Sequence, residues 1–277
     1  MIKKFQKLKH LAEVSLTQNN RLEEIQNYSF GPAILSSIKA TKQKSYPENL
    51  VSAFQEMENY RIQLLNNTEL IDFGIFEKDL KTPISEICKK AATPKIWCEF
   101  FFLLAYNSNS SKILEIGTNL GVSGQYYLKA LQLNASNKET IQFTTIEGVA
   151  DLCKVAQNRF GAMSENVNTF QVICGLYDDV LPAIIAQKTQ YDIYFIDGNH
   201  KFEPTVNYYN MLKRNISKKA IFIFDDINWS AEMAKAWQTI LKSDYSYSID
   251  FYKLGIVVID NESPTVFRRN FKSYLSF

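Results

Sequence analysis

The stretch from Lys112 to Gly121, reading Lys-Ile-Leu-Glu-Ile-Gly-Thr-Asn-Leu-Gly, constrains the fold more than any other part of the chain. Ile113-Leu114-Glu115-Ile116 is an apolar run with a single acid, the pattern of a strand covered on both faces. Gly117 and Gly121 then bracket a turn into a helical run over 122–133. Glycines are needed where a backbone turns through positive φ and lies close against a ligand. The loop is not a nicotinamide dinucleotide fingerprint. That pattern requires Gly-x-Gly-x-x-Gly, and Asn119 stands where its second glycine would approach the pyrophosphate.

After this unit, strands and helices alternate. Apolar runs predict strands over 141–146, 169–174, 191–197 and 220–225, with helices over 149–160 (stopped by Gly161), 179–187, 204–214 and 231–242 between them. The last two strands, 247–252 and 254–259, are too close in sequence for a crossover helix and are expected to be antiparallel. The expected class is therefore α/β, with five parallel strands and a terminal antiparallel pair.

Residues 1–110 read as a helical extension and 111–277 as the sheet domain, with no Pro/Gly/Ser linker between them. Ile2, Phe5, Leu8 and Leu11 form an amphipathic stripe suited to packing on the chain's own domain or on a second copy in a homodimer, rather than on a membrane. Pro47-Glu48 opens a further helix, and Thr82-Pro83 and Thr93-Pro94 each read as a threonine cap with proline at the first helical position. The stretch 96–106 is the most apolar, yet it is about half the ~20 residues of a membrane span and contains Glu99, so it reads as a buried helix. On it, Trp97, Phe100, Phe101 and Leu104 share a face that serves as core or as a pocket wall.

Composition narrows the function classes. With 46% apolar and 22% charged residues, a packed core is expected. A net charge of +2 from scattered basic residues argues against nucleic acid as the main partner. Cys88, Cys98, Cys153 and Cys174 include no Cys-x-x-Cys pair and read as free thiols of a cytoplasmic protein. The start Met1-Ile-Lys-Lys-Phe is not followed by an apolar run of signal-peptide length, which fits the same compartment.

In an open α/β sheet, ligands sit off the carboxyl ends of the strands. Here those ends carry Glu147, Asp197 and Asp225-Asp226, with Glu115 near the end of the first strand. Acids gathered at one edge raise one another's pKa unless a cation or hydrogen-bond donors lie among them, so a ligand or a metal is implied. Single acids could instead cap the next helix, a reading that fits Asp178 or Asp179 better than Asp225-Asp226. Glu147, thirty positions beyond Gly117, is placed to accept both ribose hydroxyls of a nucleoside.

Residues 112–260 resemble the class I S-adenosylmethionine (SAM) methyltransferases, and within them the catechol O-methyltransferase-like branch that includes bacterial small-molecule O-methyltransferases. The resemblance runs through 112–121, Thr-Thr-Ile-Glu-Gly (144–148), Gly-Leu-Tyr-Asp-Asp-Val-Leu-Pro (175–182), Tyr-Phe-Ile-Asp-Gly-Asn-His (194–200) and Ile-Phe-Asp-Asp-Ile-Asn-Trp (223–229). It implies that Glu115, Gly117, Asn119, Gly121 and Ser123 shape the methionine end of the SAM site. Glu147 and Gly148 would lie at the ribose, Tyr177 and Asp178 at the adenine, and Asp197 beside the donor. It also implies that Asp197, Asp225 and Asp226 ligate Mg²⁺ or Ca²⁺, with Asp226 standing where the branch usually has asparagine. His200, at the position of a lysine base in the animal enzymes, would take the acceptor's proton, since imidazole suits that role near neutral pH.

The function implied is metal-assisted O-methylation of a small hydroxylated acceptor, with Trp97 and Trp229 as candidate pocket walls. Two rivals are a non-catalytic SAM-fold protein whose helical part engages a partner and a nicotinamide oxidoreductase. The strand-end acids weigh against the first and the missing glycine against the second.

Overall fold

The computed structural model describes residues 2–134, 141–164, 166–263 and 269–275. Among the described residues, five α-helices, α1 (Ile2–Arg21), α2 (Gly31–Gln43), α3 (Glu48–Leu65), α4 (Ile84–Ala91) and α5 (Lys95–Asn107), precede the sheet, with a two-stranded antiparallel ribbon, β1 (Leu70–Asp72) and β2 (Lys81–Pro83), between α3 and α4. The sequence reading had this region all helical. The ribbon's strands have three residues each, too short for a period-2 pattern to emerge. Prolines 83 and 94 sit at the caps of α4 and α5, with no side-chain cap bond at either, so the expected threonine caps lie one residue too early.

The sheet domain alternates β3 (Lys112–Ile116), α6 (Gly124–Asn134), β4 (Gln142–Glu147), α7 (Ala150–Met163), β5 (Phe170–Cys174), α8 (Tyr177–Ala186), β6 (Ile193–Ile196), α9 (Phe202–Lys213), β7 (Lys219–Phe224), α10 (Ala231–Ile240), β8 (Tyr247–Asp250), β9 (Gly255–Asp260) and β10 (Arg269–Lys272). Its eight strands lie in the order β10-β8-β9-β7-β6-β3-β4-β5. As expected, β3 to β7 are parallel and β9 is antiparallel to both β7 and β8. The addition is β10, which pairs parallel to β8 at the edge. Gly161 lies inside α7 rather than stopping it. A helix interior tolerates glycine for about 1 kcal/mol, which tertiary packing outweighs.

Successive side chains of β3 enter different layers: Ile113 joins the apolar cluster on one face, and Leu114 and Ile116 the cluster on the other. The first cluster also contains Ile34, Phe54, Phe101 and Phe195, so the N-terminal helices and the sheet share one core. In α5 every residue from Trp97 to Ala105 is buried. Its one acid, Glu99, is held by the Tyr46 hydroxyl at 2.9 Å and by Lys95 at 3.7 Å. Helix α1 docks on the chain's own edge, where buried His10 Nε2 lies 2.9 Å from the Ser273 carbonyl. No described helix is long and apolar enough to cross a membrane.

Connections from β3 lead one way to β4 and β5 and the other way to β6 and β7, so the strand order reverses beside β3. The carboxyl ends are laced in register: Gly117 N donates to Ile146 O at 3.0 Å, Asp197 N to Ile116 O at 2.9 Å and Asp225 N to Ile196 O at 3.0 Å. That lacing brings the strand-end residues to a single crevice.

Candidate active site

A cavity of about 500 Å³ opens at this crevice. Its floor is the loop after β3. Gly117 has φ +104°, and a Cβ there would lie 2.0 Å from the Asp197 carbonyl oxygen, so only glycine lets β3 and β6 end side by side. Asn119 (φ 49°) and Gly121 (φ 75°) continue the left-handed course. In the adjoining loop after β6, Asn199 (φ 65°) and His200 (φ 25°) do the same. Non-glycine residues held in this region store strain, which clusters where a fold positions functional groups.

Glu147 closes β4 and lines the cavity. Its two oxygens accept from Asn119 N at 2.8 Å and Val149 N at 3.0 Å, which fixes the carboxylate while leaving lone pairs toward the cavity. Burial raises its pKa, and the backbone donors hold the rise down. Glu115 is different. It is wholly buried behind the lining, where Ser123 Oγ donates at 2.6 Å and Thr145 Oγ1 at 2.7 Å. Burial pushes its carboxyl up to about 7, opposed by those two hydroxyls, with Glu147 adding to the rise. It organises the loop rather than facing a ligand.

This yields a pH prediction. In the unfolded chain Glu115 ionises near its ordinary value, whereas in the fold it keeps its proton to about 7. The stability it contributes is complete below the unfolded pKa and is lost as pH rises through about 7, a change of up to ~3 kcal/mol. Glu115→Gln should flatten the stability–pH curve by that amount between pH 4.5 and 8. Urea melts giving parallel curves for the two proteins would refute the assignment.

Of the other expected cofactor residues, Gly117, Asn119, Ser123, Gly148, Tyr177, Asp178 and Asp197 line the cavity, and Gly121 lies behind it. The Tyr177 ring lies against Gly198, where a Cβ would come within 2.7 Å of it. The chain pattern did not single out Tyr208, whose hydroxyl accepts from Asn199 Nδ2 at 3.2 Å and which also lines the cavity. Nor did it single out Phe73 and Phe76, carried between β1 and β2. A Cβ on Gly148 would sit 3.5 Å from the Phe76 ring and 3.4 Å from Leu176, so ribbon and sheet domain meet at this end. The ribbon is tied down by Asp72 N donating to Asp151 Oδ2 at 3.1 Å.

The expected tryptophan walls are corrected. Trp97 is 2% exposed and packs on Phe100 and Phe251, while Trp229 is 61% exposed and lies outside the cavity lining. The wall from the N-terminal part is instead Phe73, Phe76 and Ala91-Ala92-Thr93. The expectation of four free thiols holds for buried Cys88 and Cys98, but Cys153 and Cys174 are joined as a disulfide, their Cα atoms 6.0 Å apart. Packing of α7 on β5 makes them neighbours, which a spacing without a motif does not reveal.

His200 and Asp197 both line the cavity, with His200 Nε2 3.4 Å from Asp197 Oδ1. Burial first, then the charge of Asp225, push the Asp197 carboxyl well up, and Lys253 pulls it back. Asp225 and Asp226 follow β7 as predicted, but the metal assignment needs correction. Lys253 Nζ lies 2.7 and 2.8 Å from the two oxygens of Asp225 and 2.7 Å from Asp226 Oδ1. An ammonium fills the place a divalent ion would need. Among the described residues, no group of three His, Cys, Asp or Glu side chains is arranged to hold a metal. The resemblance implied Mg²⁺ or Ca²⁺ on Asp197, Asp225 and Asp226, and the donor set does not fit one.

Residues 114–227 match the family model described as a methyltransferase domain. Over these residues the chain is similar to methyltransferase domains. The SAM complex of the O-methyltransferase TomG from Streptomyces achromogenes is similar at 20% identity, over 61% of this chain and 81% of that one, with a TM-score of 0.51. An O-methyltransferase from Bacillus cereus in complex with SAH is similar at 18% identity, over 76% and 91%, with a TM-score of 0.53. SAH-bound PaMTH1 from Podospora anserina is similar at 12% identity, over 79% and 98%, also with a TM-score of 0.53. At these identities the likeness concerns the fold. Uncharacterized protein R132 of Acanthamoeba polyphaga mimivirus is 26% identical over 156 residues, or 52% of this chain. The match spans 65% of that relative, just under two thirds of its length. The matched segment thus contains the loops that form the crevice, and the ribbon adds a wall from outside it.

Proposed function

We propose that this enzyme transfers the methyl group of SAM to a hydroxyl oxygen of a small molecule. The observation that carries the reading is that one cavity holds both halves of the chemistry: Glu147, fixed by loop amides, and the Asp197–His200 pair across from it. The solved relatives named above with SAM or SAH support the choice of donor. Glu147 would accept the ribose hydroxyls, the amides of the 117–121 turn and of the start of α6 would face the donor's carboxylate, and Tyr177, Leu176 and Phe76 would enclose its base.

The acceptor oxygen attacks the methyl carbon as the carbon–sulfur bond breaks, the donor leaves as a neutral thioether, and the hydroxyl proton passes to His200. Because Nε2 faces Asp197, Nδ1 is the nitrogen left to take it. Positioning supplies most of the remaining rate. No divalent ion enters this reading, since Lys253 occupies its place. A volume near 500 Å³ and the apolar lining from Phe73, Leu120, Val122 and Leu152 suit a small acceptor of partly apolar character. Residues 1–110 then act as the wall-bearing extension of the sheet domain.

Glu147→Ala removes charge-assisted hydrogen bonds, each worth on the order of 1.5 to 3 kcal/mol, so SAM affinity should fall tenfold or more in a variant that still melts cooperatively. Calorimetry finding unchanged affinity would sink the ribose assignment. For the activity itself, a panel of hydroxylated and aminated acceptors should be screened for conversion of SAM to SAH. Turnover with amines alone would overturn the choice of oxygen.

A further inference from the structure

We infer that Lys253 is the resident cation of this site, a side chain built into the position where a divalent ion would otherwise bridge the strand-end acids. The inference builds on the methyltransferase reading only in saying what the site serves; the cation assignment itself rests on geometry. Three carboxylate oxygens lie within 2.8 Å of one ammonium, which has three hydrogens to donate, so each hydrogen has an acceptor.

The lysine is held there by backbone, not by chance of rotamer. It sits in the turn between β8 and β9, and that turn is fastened to the loop after β7 at Lys253 itself and at the residue before it. Ile227 N donates to Lys253 O at 3.0 Å, and Asn228 Nδ2 donates to Tyr252 O at 2.7 Å. Tyr252 takes φ 70° and Asp226 φ 52° to bring the two loops together. Two neighbouring left-handed side-chain residues are a steep conformational demand, met here so that the ammonium faces the acids.

The consequence is a division of labour. Asp225 and Asp226 lie outside the cavity lining, whereas Asp197 is part of it. Lys253 is therefore a positioning residue. By holding the two outer acids it keeps their charge from expelling Asp197 from the crevice, and the site needs no ion from solution. The acceptor oxygen is activated by His200 alone.

The test uses the whole chain with Mn²⁺ as probe, followed by spin resonance of the free ion and by thermal shift. Wild type should show no saturable Mn²⁺ site, and its melting temperature and SAM affinity should not change on adding Mg²⁺ or a chelator. Lys253→Met, which keeps the stem and removes the charge, should gain a saturable Mn²⁺ site at least tenfold tighter than any residual binding in wild type. Adding Asp225→Asn should abolish that site, and Lys253→Arg should behave as wild type. A wild-type Mn²⁺ site that Asp225→Asn removes would overturn the inference, and this arm needs no folded Lys253 variant. A folded Lys253→Met that gains no Mn²⁺ affinity would overturn it as well. Absence of methyl transfer in wild type would fail the functional reading while leaving each of these metal measurements interpretable.

Discussion

Gly117→Ala should abolish SAM binding and lower the melting temperature by roughly 10 °C. The new Cβ would lie 2.0 Å from the Asp197 carbonyl oxygen and 2.8 Å from its carbon, a backbone obstacle that cannot swing aside as a side chain would. The residue would also be held at φ +104°, where an L side chain is strained by about 1 to 3 kcal/mol before any clash is counted. Relief requires β3 and β6 to separate at their ends, which moves the Asn119 amide off Glu147 and Asp197 away from His200. Several kcal/mol is a large share of a typical folding free energy, and in a chain of this size each ~1 kcal/mol shifts the melting point by about 2 to 4 °C. Gly161→Ala is the control. Nothing lies within 4 Å of a Cβ there and the residue is inside α7, so alanine should be neutral or stabilise by up to about 1 kcal/mol. Thermal melts with and without SAM separate the two cases. A Gly117→Ala protein that melts normally and still gains stability from SAM would show that the turn does not position the site.

The contrast between these two glycines shows what was legible in the sequence. Gly117 was readable because it ends a doubly buried apolar run, and a strand that stops at glycine before a helix leaves few alternatives. Gly161 carried the same letter in an amphipathic helix, where local pattern favours a stop and only packing of α7 on the sheet lets the helix run on to Met163. The five parallel strands and the antiparallel pair were legible for the same reason as β3. Apart from the edge strand β5, their residues are almost all buried, and each run is bounded by polar turns. By contrast β1 and β2 are three residues long, and β10 lies beyond any βαβ rhythm.

At the site, the acids were legible because each closes its strand or comes within two residues of its end. Their partner was not. Lys253 is 27 and 28 positions from Asp226 and Asp225, lies in a hairpin turn, and in sequence resembles any other surface lysine. What places it is the antiparallel return of β9 along β7, which sets Gly255 opposite Phe224 and so brings the turn before β9 beside the acids after β7. Phe76 escaped notice for a similar reason: it is 65% exposed, and only the fold of the ribbon carries it to Gly148.

His200→Ala should reduce kcat by about 10² to 10⁴-fold, the usual worth of a positioned general base, while SAM affinity changes less than twofold. The geometry separates the two effects. His200 lines the cavity beside Asp197, whereas the ribose contact assigned to Glu147 depends on the amides of Asn119 and Val149, which His200 does not touch. The ring is set by its backbone, since Asn199 and His200 both take positive φ directly after β6 and Asn199 is anchored on Tyr208 at 3.2 Å. Asp197 fixes Nε2, so Nδ1 is left to the acceptor, and His200→Gln, which cannot take a proton at that point, should be as slow as the alanine variant. With Lys253 filling the position of an external cation, loss of the imidazole leaves the acceptor hydroxyl without a partner that withdraws its proton. Added Mg²⁺ should therefore not restore the rate. An acceptor already ionised at the assay pH should recover much of it, because its proton no longer has to be removed. If His200→Ala turned over every acceptor at the wild-type rate, positioning alone would be the catalytic device, and the proton-transfer role of His200 would have to be given up.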